Sequence, residues 1–134
     1  MGDFMNAAQL DRFDRFFDAN FAAIVGDVAL NDPSRGVLRT RAGFASAYRF
    51  WSKVEDDGDP VGWVRRVIAE DRRAARGRSV GQPVDETGRR PAVDLGAERR
   101  RVVALARRQR AVARAVIGVS ALLALGGELF VVHR

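Results

Sequence analysis

The chain has 134 residues, enough for one small domain with an appended segment. Its 47% hydrophobic and 30% charged residues exclude both a disordered chain and a wholly membrane-embedded one. With no cysteine and a single histidine, His133, the chain has no disulfide, thiolate metal site, multi-histidine metal site or histidine-based triad. No nucleotide-cradling or metalloprotease motif occurs. We therefore expect a non-enzyme that uses neither a cofactor nor a metal.

The net charge of +6 is arranged in alternating blocks. Residues 1–34 are acidic, 35–54 basic, 55–59 acidic and 60–78 basic, and a strongly basic block begins at Arg99. All basic residues except Lys53 are arginines, whose planar guanidinium binds phosphate in a bidentate manner. This pattern favours nucleic-acid binding. The alternative is that successive helices pair their opposite charges.

Hydrophobic periodicity predicts an all-α domain of three helices over residues 1–78. The first helix follows Asn6 as its cap, stops at the NDP of 31–33, and carries an apolar stripe of Leu10, Phe13, Phe17, Phe21, Ile24 and Val28. The second covers about 34–54, with Val37, Phe44, Tyr48, Trp51 and Val54 inward. The third starts at Asp59-Pro60, ends near Arg78, and turns Val64, Val67, Ile68 and Ala75 inward.

Residues 79–97, with two prolines and three glycines, are predicted to be a flexible linker. Residues 98–134 then form a basic juxtamembrane helix that runs into an apolar one. The 18 residues 115–132 are apolar or small except Glu128, and as a helix they rise about 27 Å, close to a bilayer core. Residues 111–132 are therefore expected to anchor the chain in the cytoplasmic membrane, and because arginines precede this segment, the preceding domain is expected to be cytoplasmic. A fourth core helix or an interfacial tail are the alternatives.

Three segments carry a resemblance to a known family: FDRFFDANFAAIV from Phe13, FASAYRFWSKV from Phe44, and DDGDPVGWVRRVIAEDRRAARGR from Asp56. They resemble the successive helices of region 2 in sigma-70 family RNA polymerase sigma factors of the extracytoplasmic-function class. The resemblance covers about half of the chain. It implies a helical domain that binds the RNA polymerase core and recognises the −10 element of promoter DNA during transcription initiation.

The residues of the third helix give this implied DNA role a physical basis. Its arginines would follow backbone phosphates, and aromatic side chains near the acidic turn would stack on unpaired bases. The tryptophans also fit core positions, and the arginines also fit a solvated helical face. The candidate DNA-binding residues are Tyr48, Trp51, Trp63, Arg65, Arg66, Arg72, Arg73 and Arg76.

The chain departs from the family at the surface that contacts polymerase. The acids and glutamine expected near Val37, Leu38 and Arg41 are absent, and the local charge is reversed. Glu70 stands where the family commonly has asparagine, and no second stretch similar to the region that reads the −35 element is seen. Two other functions therefore stay open: a membrane-anchored helical module that binds a regulatory protein, and a small membrane protein whose arginines bind anionic lipid.

Overall fold

The computed structural model describes residues 5–76 and 93–129, and their side chains over 5–73 and 93–118. Over these residues the protein is all-helical, which confirms the predicted class. The helices are α1 (Ala7–Asn31), α2 (Gly36–Arg49), α3 (Trp51–Asp57), α4 (Pro60–Arg76) and α5 (Leu95–Leu129). They share a single hydrophobic core to which α1 contributes most of the aromatic rings.

Helix α1 begins with a capping box. The side chain of Asn6 accepts from the Gln9 amide at 2.8 Å, and the Gln9 side chain accepts from the Asn6 amide at 3.0 Å. The predicted stripe is buried from Phe13 to Ile24 and half-buried at Val28, whereas Leu10 is 37% exposed. The first turns of α1 meet α3 through polar contacts instead, Gln9 to Ser52 and Arg12 to Glu55. The apolar interface therefore starts one turn later than the sequence predicts.

The predicted second helix is divided in two at Phe50. This residue has φ −117° and ψ 30°, which breaks the helical path between α2 and α3. Beyond the break Trp51 and Val54 are buried, while Phe50 itself stays 39% exposed. Helix α3 ends at Gly58, whose φ of 74° is a left-handed conformation that glycine adopts without strain.

Small residues allow α2 to approach its neighbours closely. A Cβ atom on Gly36 would lie 2.9 Å from the Cα of Ala29 in α1. A Cβ atom on Gly43 would lie 3.0 Å from side-chain carbons of Val64 and Ile68 in α4. Helix α2 is thus in contact with α1 on one side and with α4 on another, which makes it the central helix of the bundle.

The amino-terminal half of α5 belongs to the same core, which corrects the predicted three-helix domain. The helix begins at Leu95, inside the predicted linker, where the Asp94 side chain accepts from the Ala97 amide at 3.1 Å. Val102 and Ala106 are fully buried against α1 and α2. This part of the basic segment therefore packs as a further core helix. Residues 79–92 of the predicted linker lie outside the described part of the chain.

Within the described residues, no helix is long and apolar enough to cross a membrane. Most side chains of the predicted membrane segment 111–132 lie outside the described ones, which end at residue 118. Over 111–118 the helix is largely exposed, including Val112, Val116 and Ile117.

Candidate nucleic-acid interface

Helix α4 presents arginines on its outer surface. Val64 and Ile68 are buried in the core and Val67 is half-buried, while Arg65 and Arg66 between them are exposed. Arg65 and Arg72 lie seven residues apart, hence on one face, and Arg66 and Arg73 lie on the adjoining one. All four are exposed. Arg76 is the last residue of α4, and its side chain lies outside the described ones.

The four exposed arginines differ in their partners. Arg65 forms an ion pair with Asp27 of α1 at 2.6 Å, and Arg66 forms one with Asp57 of α3 at 2.9 Å. Each of these pairs is about half exposed to solvent. Arg72 and Arg73 form no ion pair with another described residue. Within the described part of the chain, Arg72 and Arg73 are therefore the two of these four arginines that hold no carboxylate.

Two of the residues predicted to stack on bases, Trp51 and Tyr48, pack against side chains of the protein itself. Trp51 is 3% exposed, and its ring contacts Phe13 and Phe16 at centroid distances of 5.3 and 5.4 Å. Trp51 is a core residue, and its buried ring is not available to stack on a base, contrary to the prediction. Tyr48 is half-buried, with its ring edge-to-face with Phe13 at 5.1 Å and 6.0 Å from the Arg110 guanidinium. It packs between α1 and α5.

Trp63 lies at the opposite end of α4 from Arg72 and belongs to an aromatic cluster that the sequence did not indicate. Its ring is 6.4 Å from Phe50, and its indole N–H donates to Ser46 Oγ at 3.4 Å. The Arg49 guanidinium and the Lys53 ammonium lie 5.1 and 5.7 Å from the centre of the Phe50 ring. The basic composition of residues 35–54 indicated that cations lie in this region. The exposure of Phe50 was not indicated, because it depends on the break between α2 and α3.

The surface of α2 near Arg41 is occupied by α5. The Arg41 guanidinium donates to both carboxylate oxygens of Glu98, at 2.5 and 2.8 Å, and Arg101 donates to the same carboxylate at 2.7 Å. Hydrogen bonding to Arg41 holds the pKa of the Glu98 carboxyl below its usual range. Arg41 is thus engaged within the chain.

No group of three or more histidine, cysteine or acidic residues within the described ranges is arranged to hold a metal ion.

No family model matches the chain, and neither a curated protein nor a solved structure does.

Proposed function

We propose that this chain is a divergent sigma region 2-like protein that contacts promoter DNA at the −10 element through α4. The observation that supports this most is that Arg72 and Arg73 are exposed and form no ion pair with another described residue. They lie on the helix whose sequence most resembles the family. Arginines in this arrangement neutralise phosphates and release counterions from the duplex. RNA polymerase is the partner that the family resemblance implies.

Arg65 and Arg66 extend the same surface towards the amino-terminal end of α4. Their ion pairs with Asp27 and Asp57 are solvent-exposed, and such pairs contribute only about 0–1 kcal/mol to stability. A DNA phosphate can replace either carboxylate at little cost. The phosphate-binding surface then continues along α4 to the exposed aromatic ring of Phe50 and its neighbour Trp63.

Phe50 and Trp63 supply the aromatic surface for unpaired bases. Phe50 is exposed, and its ring lies near two cations, Arg49 before the helix break and Lys53 after it. A base stacked on an exposed aromatic ring contributes about 1–3 kcal/mol to single-strand binding. Phe50 thus takes the role that the sequence assigned to Trp51.

The test is fluorescence anisotropy of the full chain, purified in a zwitterionic detergent, with single- and double-stranded promoter-like DNA across a salt series. The double variant Arg72→Gln/Arg73→Gln should bind more weakly, and its log–log salt slope should be smaller by about 2. The matched control is Arg107→Gln/Arg108→Gln, which removes the same charge from an exposed arginine pair on α5. Equal losses in the two double variants would refute a specific role for α4.

The second candidate is a membrane-anchored helical module that binds a protein and recognises no promoter. The specific observation in its favour is the Arg41–Glu98 pair, because α5 there covers the α2 surface that the resemblance assigns to polymerase. Co-purification with RNA polymerase from cells distinguishes the candidates. Polymerase should be retained by the wild-type chain if the sigma-like function holds, and absent if the chain is an interaction module alone.

In both candidates the helical domain is cytoplasmic and residues 111–132 attach it to the cytoplasmic membrane. The exposed apolar side chains at the end of the described part of α5, Val112, Val116 and Ile117, support this attachment. The chain should stay in the membrane pellet after extraction at alkaline pH. Its release into the supernatant would contradict the anchor without affecting the DNA-binding proposal.

A further inference from the structure

A cleft of about 380 Å³ opens between the carboxyl-terminal half of α1 and α4. Val28, Ile68 and Ala69 supply its apolar lining. Its charged residues come from three helices and the turn between α1 and α2, so the cleft exists only in the assembled bundle. The proposed DNA-contacting surface shares Arg65, Arg72 and Arg73 with this cleft, but it does not use Arg39 or the apolar lining.

Arg39 of α2 is the buried charged residue of this cleft. It is only 8% exposed, and its Nε lies 3.3 Å from Oδ2 of Asp32 without the alignment of a hydrogen bond. The other oxygen of Asp32 already accepts from the Ser34 hydroxyl and the Arg35 amide, at 3.1 and 3.2 Å. A buried guanidinium N–H without an acceptor is costly, so an incoming acceptor at this position would be stabilised.

The remaining charges leave the cleft positive. Arg65 is neutralised by Asp27 at 2.6 Å, and Asp32 faces Arg39. Arg72 and Arg73 line the cleft without an ion pair to another described residue. Four arginines thus face two carboxylates, and the surplus of two positive charges selects an anion.

The geometry points to a site for an organic phosphate, with the phosphoryl group bound by Arg39, Arg72 and Arg73. The fork of N–H donors in a guanidinium matches the oxygens of phosphate, and several guanidiniums around one phosphoryl group balance its two charges. The cleft is larger than a phosphoryl group requires and lies in the size range of small-molecule sites. The apolar body of the ligand packs against Val28, Ile68 and Ala69.

The phosphoryl group has two sources, a free phosphate ester or the phosphate of a nucleic acid. Calorimetry on the full chain in zwitterionic detergent tests which chemical groups the cleft binds. The probes are phenyl phosphate, inorganic phosphate and benzyl alcohol. Phenyl phosphate should bind more tightly than inorganic phosphate, and benzyl alcohol should not bind. DNA anisotropy with and without saturating phenyl phosphate then identifies the source: competition indicates a nucleic-acid phosphate, and independence indicates a free ester.

The variants Arg39→Met and Arg72→Gln/Arg73→Gln should each weaken phenyl phosphate binding at least tenfold, while Arg107→Gln/Arg108→Gln should leave it unchanged. Because Arg39 is buried, circular dichroism is used to check that the Arg39→Met variant is folded. The Arg72→Gln/Arg73→Gln variant changes only exposed side chains, so it still tests the site if Arg39→Met unfolds. Absence of phenyl phosphate binding, or an equal loss in the control, overturns the site. DNA binding that depends on Arg72 and Arg73 without phenyl phosphate binding overturns the site alone and leaves the proposed function standing.

Discussion

Glu98 of α5 accepts hydrogen bonds from two nitrogens of the Arg41 guanidinium of α2, although the two residues are 57 positions apart in the chain. The carboxylate is nearly buried, and the guanidinium is about one-fifth exposed. Bidentate geometry fixes both the distance and the orientation of the two helices. The pair therefore holds α5 in register over α2, where Val102 and Ala106 complete the core.

The first prediction concerns the pH dependence of stability. Because the folded state lowers the pKa of Glu98, its contribution is fully present above the unfolded value of about 4.5 and is lost as pH falls through the lowered folded pKa. Glu98→Gln should cost about 1–3 kcal/mol at pH 7 and give a shallower decline of stability below pH 4.5. Urea unfolding at a series of pH values measures both effects.

The matched control for that prediction is Asp11→Asn, which removes a carboxylate from the exposed pair with Arg15 on α1. An exposed pair should leave stability at pH 7 nearly unchanged. If Glu98→Gln and Asp11→Asn destabilised the protein equally, the Arg41–Glu98 pair would have no special role.

The second prediction tests whether α5 is part of the core. Val102 is fully buried, so Val102→Ala should lower the free energy of unfolding by about 1–3 kcal/mol through the cavity it leaves. Val112→Ala makes the same change at an exposed position of the same helix and should have little effect. Similar losses at the two positions in chemical denaturation would mean that α5 does not pack against α1 and α2.

The third prediction concerns the aromatic centre of the core. Phe17 is fully buried, and its ring contacts Phe13, Phe21 and Phe44. Phe17→Ala should cost about 3–5 kcal/mol, a large part of the stability of so small a domain. Leu10→Ala on the same helix should cost about 1 kcal/mol or less, because Leu10 is partly exposed. Thermal unfolding followed by circular dichroism compares the two, and a larger effect at Leu10 would contradict this core.

The fourth prediction compares two glycines. Gly36→Ala should destabilise the protein by about 1–3 kcal/mol, because the new methyl group would meet the backbone of Ala29 at 2.9 Å. Gly26→Ala should stabilise it by about 0.5–1 kcal/mol, because nothing lies within 4 Å and alanine favours the helix interior. The sign of the shift in melting temperature decides each case. Stabilisation by both variants would mean that α1 and α2 lie further apart.

The fifth prediction separates base stacking from phosphate contacts. Phe50→Ala should weaken binding to single-stranded DNA by about 1–3 kcal/mol and leave the salt slope unchanged, since the ring carries no charge. Leu38→Ala, at an exposed apolar residue within α2, should leave binding unchanged. Anisotropy on single strands gives both quantities. A changed salt slope for Phe50→Ala, with unchanged affinity at low salt, would contradict the stacking role.

The sequence by itself determined the helical class and most of the α1 and α4 stripes. A period of 3.6 residues fixes which side chains share a face, so the burial of Phe17 and Val64 followed from spacing alone. The start of α4 at Asp59-Pro60 also followed from local chemistry, because a cap and a first-turn proline act within a few residues. Both features depend on interactions within one helix.

The tertiary structure determined which residues of different helices come into contact. The break at Phe50 exposes that ring and buries Trp51, although both are aromatic residues in one predicted helix. Arg39, Arg72 and Arg73 meet in one cleft, and Glu98 meets Arg41, only because α2 packs against both α4 and α5. Periodicity defines the apolar face of each helix but not the partner that covers it, since partner choice depends on side-chain packing and charge pairing between segments distant in the chain.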